Sequence, residues 1–181
     1  MPNPTAAILI IGDEILSGRT REGNGHYLAG ELTKAGIDLR EIRVVGDDHA
    51  TIVAAVRTLA GTHDELFTSG GIGPTHDDIT ADAVADAFGA TIGVREDARA
   101  LLAAHYAARG MEFNEARLRM ARIPEGARLI ENPVSVAPGF SIGNCHVMAG
   151  VPNIFQAMVA SVLPQLTGGA PVVSQSLRVM Q

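Results

Sequence analysis

The regular alternation of strand-like and helix-like segments in the first half of the chain most constrains its fold. The apolar run from Thr5 to Ile11 ends at a glycine, as is typical of a parallel strand buried on both faces. Residues 24–35 carry apolar side chains at helical spacing, and residues 39–45 alternate like a strand. A helix at 49–60, a strand at 65–68 and a helix at 77–88 follow. This order predicts a three-layer α/β/α fold with a mostly parallel central sheet.

The second half of the chain is less regular. Helices are predicted at 96–109, 114–121 and 153–163, a strand at 145–149, and a short segment between turns at 128–131. We expect one domain over residues 1–168. Residues 169–181 would form a C-terminal strand, centred on 172–179, or the start of a further segment. Because the chain stops soon after that strand begins, a fragment of a longer protein is favoured over a closing strand.

Composition limits the classes of function. The 181 residues are 46% hydrophobic, which is enough for a buried core. A net charge of −6 argues against non-specific binding of nucleic acid. No apolar run approaches the roughly 20 residues needed to cross a bilayer, and no signal peptide is recognisable. We therefore expect a cytoplasmic protein with neither nucleic-acid nor membrane partners. The single cysteine, Cys145, excludes a disulfide framework.

The segment from Thr68 to Thr80, with the sequence TSGGIGPTHDDIT, is the clearest candidate for a ligand site. Its glycines let the backbone approach a ligand closely, and a helix start behind them suits a phosphate. Asp77 and Asp78 follow, and carboxylates beside a phosphate commonly hold Mg²⁺. A purely structural turn, in which Thr75 and Asp78 form a capping box, remains open. The candidate phosphate-binding residues are Thr68, Ser69, Gly70, Gly71, Ile72 and Gly73.

Two further acidic turns follow the first two strands, and parallel strands place such turns at one edge of the sheet. Asp13 and Glu14 come after the first strand, and Asp47 comes after the second. With Asp77 and Asp78 they are candidate ligands for Mg²⁺, Mn²⁺ or Co²⁺. Each has a structural alternative, since Asp13 and Glu14 could be surface turn residues. Asp48 could equally be a ligand or an N-cap of the second helix.

In this order the motifs resemble the molybdenum-cofactor-biosynthesis (MoaB/Mog-like) superfamily, and within it the N-terminal domain of the competence/damage-inducible (CinA) proteins. The resemblance covers about residues 6–165. The opening Gly-Asp-Glu-Ile-Leu-x-Gly and the Gly-Pro-Thr-His-Asp-Asp block favour the CinA branch over the adenylyltransferases. The matching blocks are residues 12–18, Asn24 with Leu28, 45–48, 68–80, 132–133, 137–140 and 150–152.

The resemblance implies a ligand that is a phosphorylated pterin or a nucleotide, and a homo-oligomer, a trimer in the Mog branch and a dimer in full-length CinA. In CinA-like proteins the implied activity is metal-dependent hydrolysis of the ADP-ribose diphosphate. In the Mog branch it is adenylyl transfer from Mg-ATP to molybdopterin. The carry-over points to Asp47 and Asp78 as the catalytic pair, and we place Asn24, Gly150 and Pro152 at the substrate site. The amidase activity of CinA proteins belongs to a separate C-terminal domain.

One turn departs from the family pattern, because Pro-Gly-x-Pro is replaced by Ala149-Gly150-Val151-Pro152. The leading hypothesis is a metal-dependent nucleotide diphosphatase that acts on ADP-ribose-like substrates. A molybdopterin-binding protein or adenylyltransferase is the alternative within the superfamily. The altered turn also keeps open a non-catalytic module for ligand binding or oligomerisation.

Overall fold

The structure, a computed structural model, describes residues 1–173, and its centre is a six-stranded sheet in the order β2-β1-β3-β8-β7-β6. The pairs β1–β2, β1–β3 and β3–β8 are parallel, whereas β7 is antiparallel to both β8 and β6. A small antiparallel pair, β4–β5, lies outside this sheet. The elements in chain order are β1 (Thr5–Ile11), α1 (Asp13–Leu16), α2 (Asn24–Ala35), β2 (Asp38–Val45), α3 (His49–Thr62), β3 (Glu65–Ser69), α4 (Thr80–Ala87), β4 (Ile92–Val94), α5 (Glu96–Ala108), α6 (Glu115–Leu118), β5 (Arg122–Pro124), β6 (Arg128–Ile130), β7 (Gly139–Ile142), β8 (Cys145–Met148) and α7 (Pro152–Val162).

Helices cover both faces of the sheet, which confirms the expected three-layer fold. One face packs against α3 and α4, and α5 adds Ala98 and Leu102 to the same core. The other face packs against α2 and α7. β1 is buried between them because alternate side chains of a strand point to opposite faces. Its residues Ala7, Leu9 and Ile11 belong to the first core, and Ala6, Ile8 and Ile10 to the second.

The sequence analysis missed α1 and the strands β4, β5 and β7, and it gave β6 only as a short segment between turns. β4 and β5 have only three residues each, and Ile92 pairs with Pro124, more than thirty positions away. Such strands exist through a distant partner, which local periodicity does not reveal. The strand predicted at 172–179 lies outside the described residues from position 174, and Val172 and Val173 are in no regular element. Within residues 1–173, no helix has the length and apolar character needed to cross a bilayer.

The topology positions the candidate site. Strands β1, β2, β3 and β8 are parallel, so all four end at the same side of the sheet, which we call the carboxyl edge. Their last residues are Ile11, Val45, Ser69 and Met148. The loops that follow carry the acidic turns and the glycine-rich segment. We call the opposite side the amino edge.

Candidate functional site

The glycine-rich loop after β3 passes very close to neighbouring backbone. Gly70 has a φ of +105°, and a Cβ atom there would collide with the carbonyl oxygen of Ile11. Gly71 has a φ of +73°, and a Cβ atom there would collide with the hydroxyl of Thr80. Only glycine combines these backbone angles with so little space. The tight turn that the sequence predicts is therefore built into the packing of β1, β3 and α4.

The loop leaves several backbone donors available for a ligand. The N–H groups of Gly71, Ile72 and Gly73 make no hydrogen bond within residues 1–173. The N–H group of Gly70 donates to the carbonyl of Met148 at 3.1 Å, so it is not a free donor for a phosphate. That bond extends the pairing of β3 with β8 by one residue. Three donors, rather than the whole loop, therefore remain for an anion.

Asp78 closes a separate turn in front of α4. Its Oδ2 atom accepts hydrogen bonds from the N–H of Thr75 at 2.9 Å and from the Thr75 hydroxyl at 2.7 Å. α4 begins only at Thr80, whose N–H donates to the carbonyl of Gly71 at 3.0 Å. The predicted helix start at residue 77 is thus wrong, because Asp78 caps the preceding turn. The first N–H of α4 contacts the glycine loop and does not face a ligand.

The first two acidic turns are bonded to each other. The N–H of Asp13 donates to Asp47 Oδ2 at 3.0 Å, and the N–H of Asp47 donates to Asp13 Oδ1 at 3.1 Å. Partial burial raises the pKa of Asp47; the hydrogen bond from Asp13 opposes this shift, and the carboxylates of Asp13, Glu14 and Asp78 reinforce it. Asp48 points elsewhere and caps α3 by accepting from Thr51 at 2.9 Å.

One open cavity of about 350 Å³, which we call the acidic cavity, is lined by all five predicted acidic ligands, Asp13, Glu14, Asp47, Asp77 and Asp78. Arg19 is the basic side chain in its lining. Within residues 1–173, however, no three His, Cys, Asp or Glu side chains converge in an arrangement that would already form a metal site. The predicted ligands therefore share a cavity without forming a ligand cluster. The lining residues are Ile11, Asp13, Glu14, Arg19, Asp47, Gly71, Thr75, Asp77 and Asp78.

A second and larger cavity of about 590 Å³, which we call the apolar cavity, adjoins the first. The two share the lining residues Glu14, Gly71 and Asp78. The apolar cavity is lined mainly by hydrophobic side chains and loop backbone, as is common for sites that bind a flat ring. Besides the glycine loop, its lining includes Tyr106, Met120, Asn132, Ser135, Ala137, Ala149, Gly150, Val151, Pro152 and Ile154.

Tyr106 is a ring of this cavity that sequence reasoning missed. Phe113 stacks on it with ring centroids 5.9 Å apart and planes 18° apart, and the Arg117 guanidinium lies 4.5 Å from its centroid. These contacts hold the ring in place. No local motif on α5 marks Tyr106. Met120 likewise lines the cavity, from the short 3₁₀ turn between α6 and β5, and no local pattern marks the two as neighbours in one cavity.

The loop of residues 132–137 forms another wall, and it is strained. The Asn132 amide donates to Ser135 Oγ at 2.7 Å and to the carbonyl of Ala137 at 2.8 Å. Its Oδ1 atom accepts from the N–H groups of Val134 and Ser135. Val136 has a φ of +71°, which is costly for a β-branched residue. The blocks around this loop belong to the family resemblance, which was the only sequence signal for it.

Asn24 connects two loops at the carboxyl edge. Its Nδ2 atom donates to Ser69 Oγ at 2.8 Å and to the carbonyl of Gly150 at 2.9 Å. This supports its role in fixing the loops, and Ser69 lines only a small side cavity of about 60 Å³. Thr68 is completely buried and lines none of these cavities, so the structure gives no support to its prediction as a phosphate ligand. Gly150 and Pro152, the first residue of α7, line the apolar cavity, and their place at a substrate site stays a prediction.

Comparison with known families gives one match that covers most of the chain. Residues 7–168 match the model of a family described as a probable molybdopterin binding domain. A CinA-like protein of Desulfosudis oleivorans is 37% identical over 89% of this chain and 40% of its own length. The chain spans 38–40% of the length of the CinA-like relatives it matches and 64–70% of the length of other relatives.

Solved structures agree with this match. A CinA protein of Thermoplasma acidophilum, described as having unknown function, superposes with a TM-score of 0.82 at 34% identity, over 89% of this chain and 98% of its own. The tungsten cofactor synthesizing protein MoaB of Pyrococcus furiosus superposes with a TM-score of 0.58 at 18% identity, over 90% of this chain and 91% of its own. The second similarity establishes the fold alone.

Proposed function

We propose that this chain, which belongs to the family of probable molybdopterin binding domains, is a metal-dependent diphosphatase acting on ADP-ribose-like nucleotides. The observation that carries the proposal is the meeting of two unlike cavities at Glu14, Gly71 and Asp78. One cavity is acidic and the other is apolar. A nucleotide diphosphate is divided in the same way, since its flat base suits the apolar cavity and its charged diphosphate, with a metal ion, suits the acidic cavity.

The proposed binding mode places the diphosphate where the cavities meet. The free N–H groups of Gly71, Ile72 and Gly73 are donors that a phosphate oxygen accepts from. The base would lie in the apolar cavity beside Tyr106, whose ring is held by its neighbours. The diphosphate is then next to the acidic cavity, where hydrolysis would take place.

The acidic cavity fits a divalent cation that arrives with the substrate. Asp13, Asp47 and Asp78 each keep one carboxylate oxygen that accepts no hydrogen bond within residues 1–173. Mg²⁺ is commonly held by one or two carboxylates together with substrate phosphates. When bound, such an ion would neutralise developing charge and activate water. The protein's own part is to hold these carboxylates through the Asp13–Asp47 bonds and the Asp78 turn, with Glu14 available as a further ligand or general base.

The second candidate is a molybdopterin-binding protein or adenylyltransferase. The family description supports it directly, and a pterin is a flat ring that the apolar cavity also fits. Both candidates place phosphate at the glycine loop. They differ in whether ADP-ribose is cleaved. We further propose that the chain acts in the cytoplasm as a homo-oligomer, a trimer or a dimer, which light scattering on the purified chain would measure.

The test is release of AMP from ADP-ribose by the purified chain with Mg²⁺, Mn²⁺ or Co²⁺. We expect Asp78→Asn and Asp47→Asn to lower the rate at least about 100-fold, the usual cost of removing a group that stabilises transition-state charge. At pH 7 Asp47→Asn should melt at or above the wild-type temperature, because the pKa of Asp47 is raised by its partial burial. Asp78→Asn should melt somewhat lower, because a neutral amide accepts more weakly from Thr75 than a carboxylate does, so rates are compared at a temperature at which each variant is folded. Asp38→Asn is the matched control, since Asp38 lies at the amino edge and bonds Asn3 and Arg40.

Turnover that persists in Asp78→Asn would contradict the assignment of the site. Absence of turnover with all three metals would contradict the diphosphatase proposal. Stabilisation by Mg-ATP and a pterin would then favour the second candidate, and no stabilisation by either ligand would leave a non-catalytic module.

A further inference from the structure

Arg119 is a partly buried cation with no partner in the described chain. It belongs to a 3₁₀ turn, Arg119–Ala121, between α6 and β5. Its Nε atom is buried and makes no hydrogen bond, and its guanidinium forms no ion pair within residues 1–173. Burying a charge without a partner is costly, so a cation left in this state calls for a reason.

The neighbouring charged side chains are not partners of Arg119. Arg122 lines the same small cavity as Arg119, but it is paired with Asp82 by two hydrogen bonds of 2.9 and 2.8 Å. Asp78 also lines this cavity, and its Oδ2 atom is engaged by Thr75. Among the four charged side chains there, Arg119 is the one that neither pairs nor donates.

The small cavity opens beside the proposed diphosphate position. It shares Ile72, Gly73, Asp78 and Met120 with the apolar cavity. Its volume of about 20 Å³ is enough for one water-sized group and too little for a whole phosphate. The Gly73 N–H, which has no acceptor within residues 1–173, belongs to the same lining. A single anionic oxygen, attached to a ligand in the main cleft, fits this combination of size and charge.

We infer that Arg119 binds an oxygen of the ligand's diphosphate through the small cavity. This inference rests on the proposed function, since it assumes that a diphosphate lies at the glycine loop. It adds a residue that the family motifs do not mark. The ligand class is thereby narrowed to molecules that carry a phosphate at the glycine loop, because a neutral nucleoside gains nothing from this cation.

The experiment measures binding of inorganic pyrophosphate to the full chain by calorimetry with excess Mg²⁺, beside turnover of ADP-ribose. We expect Arg119→Met to weaken pyrophosphate binding about tenfold to a hundredfold, the effect of losing one charge-assisted hydrogen bond. Arg119→Lys keeps the charge without the planar guanidinium, so its affinity for pyrophosphate should lie between those of the wild type and Arg119→Met. Arg99→Met, on the exposed side of α5, is the control and should bind like the wild type.

A second readout separates binding from a structural role. Because Arg119 has no partner, Arg119→Met should melt at or above the wild-type temperature without ligand. If Arg119→Met melts lower and binds pyrophosphate as the wild type does, the residue is structural and the inference is overturned.

The outcomes also separate this inference from the proposed function. Arg119-dependent binding without ADP-ribose turnover would support the anion site and contradict the diphosphatase. If ADP-ribose is cleaved and its KM is the same in the wild type and in Arg119→Met, the diphosphatase is supported and the anion site at Arg119 is contradicted. If the wild type neither binds pyrophosphate nor cleaves ADP-ribose, both are overturned.

Discussion

The two edges of the central sheet carry the same kinds of polar residue, but they differ in how many of these residues lack a partner within the described chain. At the amino edge, His146 is buried with hydrogen bonds of 2.7 Å on both sides, to Ser141 Oγ and to Glu65 Oε2. Asp64 accepts from the N–H and the hydroxyl of Thr5, and these bonds lower its pKa. Each of these polar groups has found its partner inside the chain.

At the carboxyl edge, several polar groups are left unpaired beside others that are bonded. The N–H groups of the glycine loop have no acceptor in the described chain, and Arg119 has no anion. Asp47 is partly buried and lies among other carboxylates, and its pKa is raised first by the burial and then by these charges. Unsatisfied groups cost stability unless a ligand completes them. The amino edge thus stabilises the fold, whereas the carboxyl edge keeps binding capacity for something outside the chain.

Removing His146 should have the largest effect on stability. His146→Ala leaves a cavity and two unpaired partners, so the free energy of unfolding should fall by about 2–4 kcal/mol. Turnover per folded molecule should not change, because the residue lies at the amino edge. Equilibrium unfolding in urea measures the loss, with the exposed His26→Ala as control. Loss of activity in a variant that keeps its stability would contradict the division between the two edges.

Relieving the strain at Val136 should raise stability. Val136→Gly removes the cost of a β-branched residue at positive φ, and we expect a gain of about 1 kcal/mol after the extra entropy of glycine is subtracted. Val134→Gly, in the same loop but at ordinary φ, should give no gain. Thermal denaturation compares the two variants. An equal change in both would show that the carboxyl-edge loop stores no strain at Val136.

The smallest effect contrasts Asp47 with Asp64 across pH. The pKa of Asp47 is raised above 3.8 in the folded state, so its penalty grows as pH rises through that folded pKa. Asp47→Asn should therefore be more stable than the wild type at pH 7, by less than about 1 kcal/mol because the group is partly solvated, and equal to it below pH 3.8.

Asp64 should behave in the opposite way. Its pKa is lowered below 3.8, so its stabilisation is present above that pH and disappears as pH falls through the folded pKa. Asp64→Asn should melt below the wild type at pH 7, and the gap should close in acid. Melting curves between pH 2 and 8 test both variants. Shifts of the same sign at pH 7 would remove the electrostatic contrast between the edges.

The sequence alone determined the layer architecture, the family and the position of the acidic turns. Apolar runs that alternate with amphipathic segments allow few other folds, and parallel strands necessarily end at one edge. The structure and the family match confirm the fold and the CinA-like resemblance. The structure also places the predicted acidic ligands in one cavity, although their chemical roles stay predictions. They are Asp13, Glu14, Asp47, Asp77 and Asp78.

Only the tertiary structure decided which groups at that edge are free. Gly70 and Thr68 are unavailable because β8 takes the N–H of one and packing encloses the other. Tyr106 and Arg119 line the cleft from segments with no motif, together with loops that are far away in sequence. A local pattern reports which residues can donate or accept. Whether those donors and acceptors already have a partner depends on strands and loops that are distant in sequence, and only the packing of the folded chain brings these together.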